Sequence, residues 1–359
     1  MSSRSPSIVS RVFYKNIAKE FAHFLSERKY SGYYILADDQ TVNYCLPVLF
    51  NEVDMLKSAT VIEIFSGEVF KNITTTQQVW EQLTEHHADR NALLINLGGG
   101  MVCDLGGFAA STYKRGIDFI HVPTTVLSQV DAAYGGKQGI DFNHYKNQLG
   151  IFRNPEAVFV NVEFLRTLPA IQVTNGFAEV VKHGLLAGGR FWKQVHAIND
   201  LSSVNWNKLV RDSSGIKLSV VEKDPLEKGL RKILNFGHTI GHAIESDLLN
   251  RTGDALHGYC IAAGMIGELY LSNQLCGFPD KRMSQVIEFI CHHFPAIDVD
   301  PSFDKEILNL MKQDKKNRNG RVQFALLKKI GMPVIGIEAD EVMIRKALDY
   351  IRTVYKQNG

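Results

Sequence analysis

The chain has 359 residues, 45% hydrophobic and 22% charged, which suits a globular protein long enough for two domains with full cores. Forty basic against thirty-eight acidic residues leave a net charge of +2, which excludes a broad nucleic-acid surface or an acidic tail, so anion recognition must be local. No run reaches the roughly eighteen apolar residues of a membrane span; the stretch from Met1 to Val12 has serines and two arginines but no apolar signal core, and Cys45, Cys103, Cys260, Cys276 and Cys291 show no paired spacing, so a cytoplasmic protein without disulfides is expected.

Short apolar runs at Tyr33–Ala37, Thr60–Phe65, Ala92–Leu97 and Phe119–Val122 are separated by helix-like segments. This alternation predicts an α/β arrangement with a mostly parallel sheet and crossover helices. Open parallel sheets bind ligands past the carboxyl ends of their strands, which singles out Asp38 and Gly98-Gly99-Gly100. The glycines let a backbone approach a pyrophosphate, and the helical segment that follows offers its first amides as donors. Cys103 stands where the third glycine of G-x-G-x-x-G would fall, so an ordinary tight turn, with Asp104 compensating the helix dipole, is the structural alternative. Beyond the fourth run come Pro123-Thr124-Thr125, whose hydroxyls suit ribose or phosphate oxygens, then Asp131, Gly135-Gly136-Lys137 and Lys146-Asn147. Small residues beside lysines fit an anionic substrate, although a lysine alone is more often solvated surface.

After Leu168-Pro169 long helical patterns take over, at Gly176–Leu186, Leu201–Lys223 and Asp254–Gln274. The expected division is a nucleotide-binding α/β sheet domain over 1–168 and a mainly α-helical metal- and substrate-binding domain over 169–359. Within the second, His238 and His242 lie four apart, about one helical turn, so one divalent metal can accept a nitrogen from each, with His257 as a third donor. Two core or capping histidines are the bland alternative. Gly237 and Gly241 strip bulk from the same face and permit a ligand or another backbone to come close. Thr239 occupies the place of the general-base Glu in a metalloprotease H-E-x-x-H helix, so the metal is expected to polarise a hydroxyl or carbonyl oxygen.

Taken in order, Gly98-Gly99-Gly100…Asp104, Arg115-Gly116, Pro123-Thr124-Thr125, Asp131, Gly135-Gly136-Lys137, Lys146-Asn147, Leu165-Arg166-Thr167-Leu168-Pro169, Glu179-Val180-Val181-Lys182, Gly229-Leu230-Arg231, Asn235 through Glu245, His257-Gly258 and Asp314-Lys315-Lys316 closely resemble the 3-dehydroquinate synthase family of sugar phosphate cyclases. The resemblance covers residues 30 to 331. It implies conversion of 3-deoxy-arabino-heptulosonate 7-phosphate into 3-dehydroquinate and phosphate, in the shikimate pathway, by transient oxidation, β-elimination, re-reduction and an intramolecular aldol closure. NAD and Zn2+ or Co2+ are the implied cofactors, with the active site in the cleft between the domains of a homodimer.

By matching motif the resemblance implies Glu179, His238 and His257 as metal ligands, with His242 a nearby proton-handling residue, which revises the pairing of both helix histidines on one ion. Lys182 and Lys217 would stabilise charge near the reacting oxygens, Asp131 would position substrate and handle protons, and Arg231 with Asn235 would hold the substrate carboxylate. Lys137, Asn147 and Lys315 or Lys316 would complete the anion contacts, with Arg115 reaching the phosphate from a dimer partner. NAD contacts would be Asp38, Glu68 and Lys71 on the adenosine side, Gly99, Gly100 and Asp104 toward the pyrophosphate and nicotinamide, then Thr124, Thr125, Lys146 and Thr167. The chain departs from the commoner pattern at Gln40, Gln138 and Ala170-Ile171-Gln172. The competing readings are a cyclase for a neutral sugar phosphate, which Asn235 with Arg231 disfavours, a metal-dependent alcohol or glycerol dehydrogenase, and a non-catalytic NAD- and metal-binding relative.

Overall fold

A computed structural model describes residues 10–143, 145–312 and 321–358. It divides into two compact units, one running to Val173 and including Asn205–Leu226, the other comprising Thr174–Val204 and the chain from Glu227 onward. The sequence reading placed everything after residue 168 in the second domain. The structure instead groups the helix Trp206–Lys223 with the sheet, because its Lys217 is tied to Asp131 of that unit.

The first unit is built on a six-stranded parallel sheet in the order β1-β8-β5-β4-β2-β3. Its strands are β1 (Arg11–Phe13), β2 (Tyr33–Asp38), β3 (Thr60–Ile64), β4 (Leu93–Gly98), β5 (Asp118–Pro123) and β8 (Ala157–Phe159). Alternate residues of one strand feed two cores. Ile35, Ala37, Ile95 and Leu97 pack with Phe21, Phe24 and Leu49, whereas Tyr34, Leu36 and Leu94 pack with Val79, Leu83, Leu105 and Ala109. Burial on both faces explains why β2 and β4 read as continuous apolar runs instead of alternating ones.

In the chain between β5 and β8 runs a separate antiparallel hairpin of β6 (Lys137–Phe142) and β7 (Tyr145–Phe152), which the sequence reading did not expect. Its Gln138 is buried against the helix Gly100–Thr112, where a Cβ on Gly107 would meet the Gln138 Oε1 at 1.9 Å. Gln138 Nε2 lies 3.5 Å from His121 Nε2, and Asn96 Nδ2 lies 3.2 Å from His121 Nδ1. A neutral imidazole donates from only one nitrogen, so one of the two amides must turn its oxygen to the ring. Burial holds His121 in that neutral form by pulling its pKa down to about 3.

The second unit is helical, as expected, except for the antiparallel pair β9 (Val322–Lys329) and β10 (Met332–Ala339). Its centre is the helix His257–Cys276, buried without a break from Gly258 to Leu269. Among the described residues no helix is long and apolar enough to cross a membrane.

Candidate active site

In the sheet of the first unit β2 lies between β3 and β4, so the chain builds outward in opposite directions from the β2–β4 pair. Such a switch point opens a crevice at the carboxyl ends of the strands. Ala37 pairs with Leu97 and Gly98 with Pro123, so Asp38, Gly99-Gly100 and Thr124-Thr125 emerge in a row from three neighbouring strands. Gly99 caps the helix Gly100–Thr112 without a side-chain hydrogen bond, and its helix-start amides face the end where a phosphate is expected. Asp38 has a second duty, since its Oδ1 accepts from the Thr41 amide at 2.8 Å and caps the helix Asp39–Tyr44. Thr125 shares a 3.0 Å hydrogen bond with Ser128, while Thr167 is exposed.

Lys71 links most of the remaining cofactor candidates. Only 4% exposed, its Nζ donates to Asp104 Oδ2 at 2.7 Å and to Asn147 Oδ1 at 2.8 Å, and stands 3.8 Å from Glu68, which Lys146 also approaches to 3.3 Å. Burial works against the charge on Lys71, but Asp104, Glu68 and Asp141 outweigh it and raise its pKa. Asn147, assigned by resemblance to substrate, shares the Lys71 ammonium with Asp104, and its own backbone amide donates at 2.7 Å to Oδ1 of Asp141, a residue the motifs did not mark. A single π-helical turn, Ser128–Ala132, presents Asp131, whose Oδ2 accepts from Lys217 Nζ at 2.7 Å. Lys137 and Arg115 are exposed, Arg115 on a turn where Lys114 and Arg115 have φ of 47° and 68°.

In the second unit three helices bring their chemistry to one point. Glu179, with no exposed surface, comes from Ala170–Ala187, His238 opens His238–Thr252 and His257 opens His257–Cys276. Glu179 Oε1 stands 3.1 Å from His238 Nε2 and 3.6 Å from His257 Nε2, and Glu179 Oε2 pairs with Lys182. His238 donates its Nδ1 proton to the Phe236 carbonyl at 3.2 Å, and His257 Nδ1 meets Glu245 Oε2 at 3.1 Å. With each Nδ1 spent as a donor, the two Nε2 atoms of neutral rings are acceptors that face a carboxylate oxygen. Only a cation or a proton reconciles such a meeting.

The donor set suits a cation. One Glu and two His are the ligands of a catalytic zinc that keeps a position open, and ligands on 2.0–2.1 Å tetrahedral bonds lie about 3.3 Å apart. The Nδ1 bonds to a carbonyl and a carboxylate are the outer contacts that orient ligating imidazoles. Burial, with help from Lys182, pushes the His238 pKa down to about 4, which keeps that ring neutral. Burial also disfavours charge on His257, but Glu245 and Glu179 outweigh it and bring the pKa up to about 9, so without a cation a proton takes its place. Burial likewise opposes the Glu179 charge, yet Lys182 and His238 hold its carboxyl well below the usual range.

His242 belongs to the same cluster, its ring centroid 4.9 Å from that of His238 and 5.6 Å from that of His257. Arg231 is 1% exposed, and Asn235 donates to Glu227 at 2.9 Å, a carboxylate the sequence reading did not single out. Lys315 and Lys316 lie outside the described residues.

Residues 61–175 match the family described as 3-dehydroquinate synthase N-terminal, and 176–317 match 3-dehydroquinate synthase C-terminal. A 3-dehydroquinate synthase from Parabacteroides distasonis is 42% identical over 344 residues, 95% of this chain and 97% of that one. The chain belongs to the 3-dehydroquinate synthase family. Its fold is shared at lower identity by ValA, a 2-epi-5-epi-valiolone synthase from Streptomyces hygroscopicus subsp. jinggangensis 5008 solved with NAD+ and Zn2+ (TM-score 0.82, 21% identity, 98% of each chain). It is shared also by a 2-deoxy-scyllo-inosose synthase solved with carbaglucose-6-phosphate, NAD+ and Co2+ (TM-score 0.80, 24% identity, 94% of this chain and 95% of that one).

Family membership accounts for the motifs, and the structure adds supports that they leave out. Asn175 Oδ1 accepts from the Gly258 amide at 2.6 Å at the start of the His257 helix, and Glu268 accepts from three amides at the start of the His238 helix. Both contacts join residues far apart in the chain, so local spacing carries no sign of them.

Proposed function

We propose that the chain converts 3-deoxy-D-arabino-heptulosonate 7-phosphate into 3-dehydroquinate and phosphate, as a carbon–oxygen lyase that requires NAD and a divalent cation. The observation that carries the cation requirement is the buried Glu179 oxygen facing two imidazole nitrogens whose partners are already committed. Glu179, His238 and His257 would hold the ion, and zinc or cobalt would each suit the donors. When bound, NAD supplies a hydride acceptor and donor, and the cation supplies Lewis-acid polarisation of substrate oxygens.

The chain's own residues bind and orient. Arg231, with Asn235, offers a planar fork for the substrate carboxylate. Lys137, Asn147 and Lys315 or Lys316 add anion contacts, while Lys182 and Lys217 place positive charge near the reacting oxygens. Asp131, held by Lys217, and His242 are the proposed proton carriers. Asp38, Glu68, Lys71, Gly99, Gly100, Asp104, Thr124, Thr125, Lys146 and Thr167 are the proposed NAD contacts, all but Thr167 supported by their convergence on the switch point or on the Lys71–Glu68 network. Arg115 is assigned to the phosphate of a second protomer in a homodimer, a reading supported by its exposure. All five cysteines are free, which fits a reducing compartment such as the cytoplasm.

The test is phosphate release and dehydroquinate formation from the heptulosonate phosphate with NAD, comparing chelator-stripped protein with protein given zinc back. Metal-restored turnover with no net NADH is expected. Net NADH from a simple polyol would favour a dehydrogenase instead, and absence of turnover with every sugar phosphate tried would overturn the reading.

A further inference from the structure

Glu268 lies three turns into the helix His257–Cys276 and has no exposed surface. Its Oε2 accepts from the Gly237 amide at 2.6 Å, and its Oε1 accepts from the Thr239 and Ile240 amides at 3.0 and 3.2 Å. Amides at a helix start lack intrahelical partners and concentrate the positive end of the helix dipole, so a carboxylate is well matched to them. This carboxylate comes from another helix, and that other helix begins with His257. One side chain therefore ties together the two helices whose first residues are His238 and His257.

The contact with Gly237 is the informative one. The Gly237 N–H and the Phe236 C=O belong to the same planar, trans peptide group and point in opposite directions. The N–H end donates to Glu268, and the C=O end accepts the Nδ1 proton of His238. Gly237 holds φ at +80°, and a Cβ there would meet Met265 Cγ at 2.6 Å, so glycine permits this peptide to sit against the second helix. A charged acceptor on the N–H polarises the amide and strengthens its carbonyl as an acceptor. We infer that Glu268 is a positioning residue for the proposed metal site, acting through the Phe236–Gly237 peptide to fix the ring orientation and tautomer of His238. The inference rests on the reading of Glu179, His238 and His257 as metal ligands.

Glu268→Gln keeps the size but places an NH2 group against backbone donors and removes the charge. The expected result is zinc affinity weakened by about 10- to 100-fold, the usual cost of losing an outer-shell partner, with altered visible absorption bands in the cobalt-substituted protein. Ser272→Ala is the structural control, because it removes a buried hydroxyl one turn further along the same helix that accepts from the Leu327 amide at 3.0 Å. It should lower the melting temperature while leaving zinc affinity and the cobalt spectrum at wild-type values. Folded Glu268→Gln with wild-type affinity and spectrum would overturn the inference. His257→Ala is measured alongside: if it too keeps zinc, the metal reading itself fails, whereas its loss beside an unaffected Glu268→Gln sinks only the positioning role. Should Glu268→Gln not fold, wild-type protein labelled with 15N-glycine decides the matter. Zinc loading should move the Gly237 amide resonance, and a resonance indifferent to zinc would overturn the inference.

Discussion

Glu179 and Lys71 are buried charges whose partners define the two proposed sites, and each predicts a different loss. At Glu179 two donor sets meet: its Oε1 faces the Nε2 atoms of His238 and His257, while His238, His242 and His257 also offer nitrogens within 4.8 Å of one another, and the proposed set is the one with Glu179. Glu179→Gln and His257→Ala should therefore lose stoichiometric zinc in a chelator-competition titration, whereas His242→Ala should retain zinc and lose turnover. Retention of zinc by Glu179→Gln with its loss in His242→Ala would restore the three-histidine site. At Lys71 the cation neutralises Asp104, whose side chain is 20% exposed, and orients Asn147. Lys71→Met leaves that carboxylate largely desolvated without its cation, a cost of about 2–3 kcal/mol in urea unfolding. NAD affinity should fall as well. Asp104→Asn in the Lys71→Met background should recover part of the stability, because the two losses share one interaction. Strict additivity would show that the pair contributes nothing.

Among the elements, glycine contacts set how closely the second unit's helices approach. A Cβ on Gly264 would meet the Gly237 carbonyl oxygen at 2.0 Å and the Gly241 nitrogen at 2.6 Å, so the helices beginning at His238 and His257 touch through their backbones. The glycines noted in the motif serve another backbone there. Gly264→Ala forces that contact apart and should cost several kcal/mol, as overpacking against an immovable partner does, together with metal binding read by the cobalt spectrum. Gly215, exposed in the helix Trp206–Lys223, has nothing within 4 Å of its would-be Cβ, so Gly215→Ala should stabilise by about 0.5–1 kcal/mol through helix propensity. Thermal melts of both variants check the contrast. The same elements show what the chain spells locally. β2, β4 and β5 were legible because burial on both faces makes them apolar runs, and the edge strand β3 because Val61, Ile62 and Ile64 are apolar although Glu63 is exposed, whereas β1 and β8 have three residues each and carry no period. The hairpin β6–β7 was hidden because Gly135-Gly136-Lys137 and Lys146-Asn147 read as anion-binding loops, and β10 because its side chains are mostly half-buried or exposed. At the site, spacing picked out His238 and His242 with His257 as a third donor, Glu179 entered through family resemblance, and Glu268 had no local signal, since its amide partners lie 28 to 31 residues away.

On the scale of the whole molecule, the neutral histidine in the sheet makes stability depend on pH in a direction that can be worked out. His121 is held near pKa 3 by burial alone, against an unfolded value near 6.5, and it sits between the uncharged amides of Asn96 and Gln138. Between those two values the unfolded chain binds a proton that the folded chain refuses. The stability associated with the neutral ring is thus fully present above about pH 6.5 and declines as pH falls toward 3. The slope approaches about 1.4 kcal/mol per pH unit for this one group, or about 2 kcal/mol lost by pH 5. Lys71 acts at the opposite end, since its raised pKa contributes stability below its unfolded value near 10.5 that disappears as pH climbs beyond it. Amide hydrogen exchange of β4 and β5 isolates the His121 effect, because it reports the opening of the sheet itself and not of the metal-site helices. His121→Asn removes the titrating group while keeping a side chain that can pair with both amides. Its baseline stability should be lower, but its decline between pH 6.5 and 5 should be shallower than wild type by about one proton's slope. Parallel pH profiles for the two proteins would mean that His121 accepts its proton inside the folded sheet, and that the Asn96 and Gln138 amides turn their oxygens to receive it.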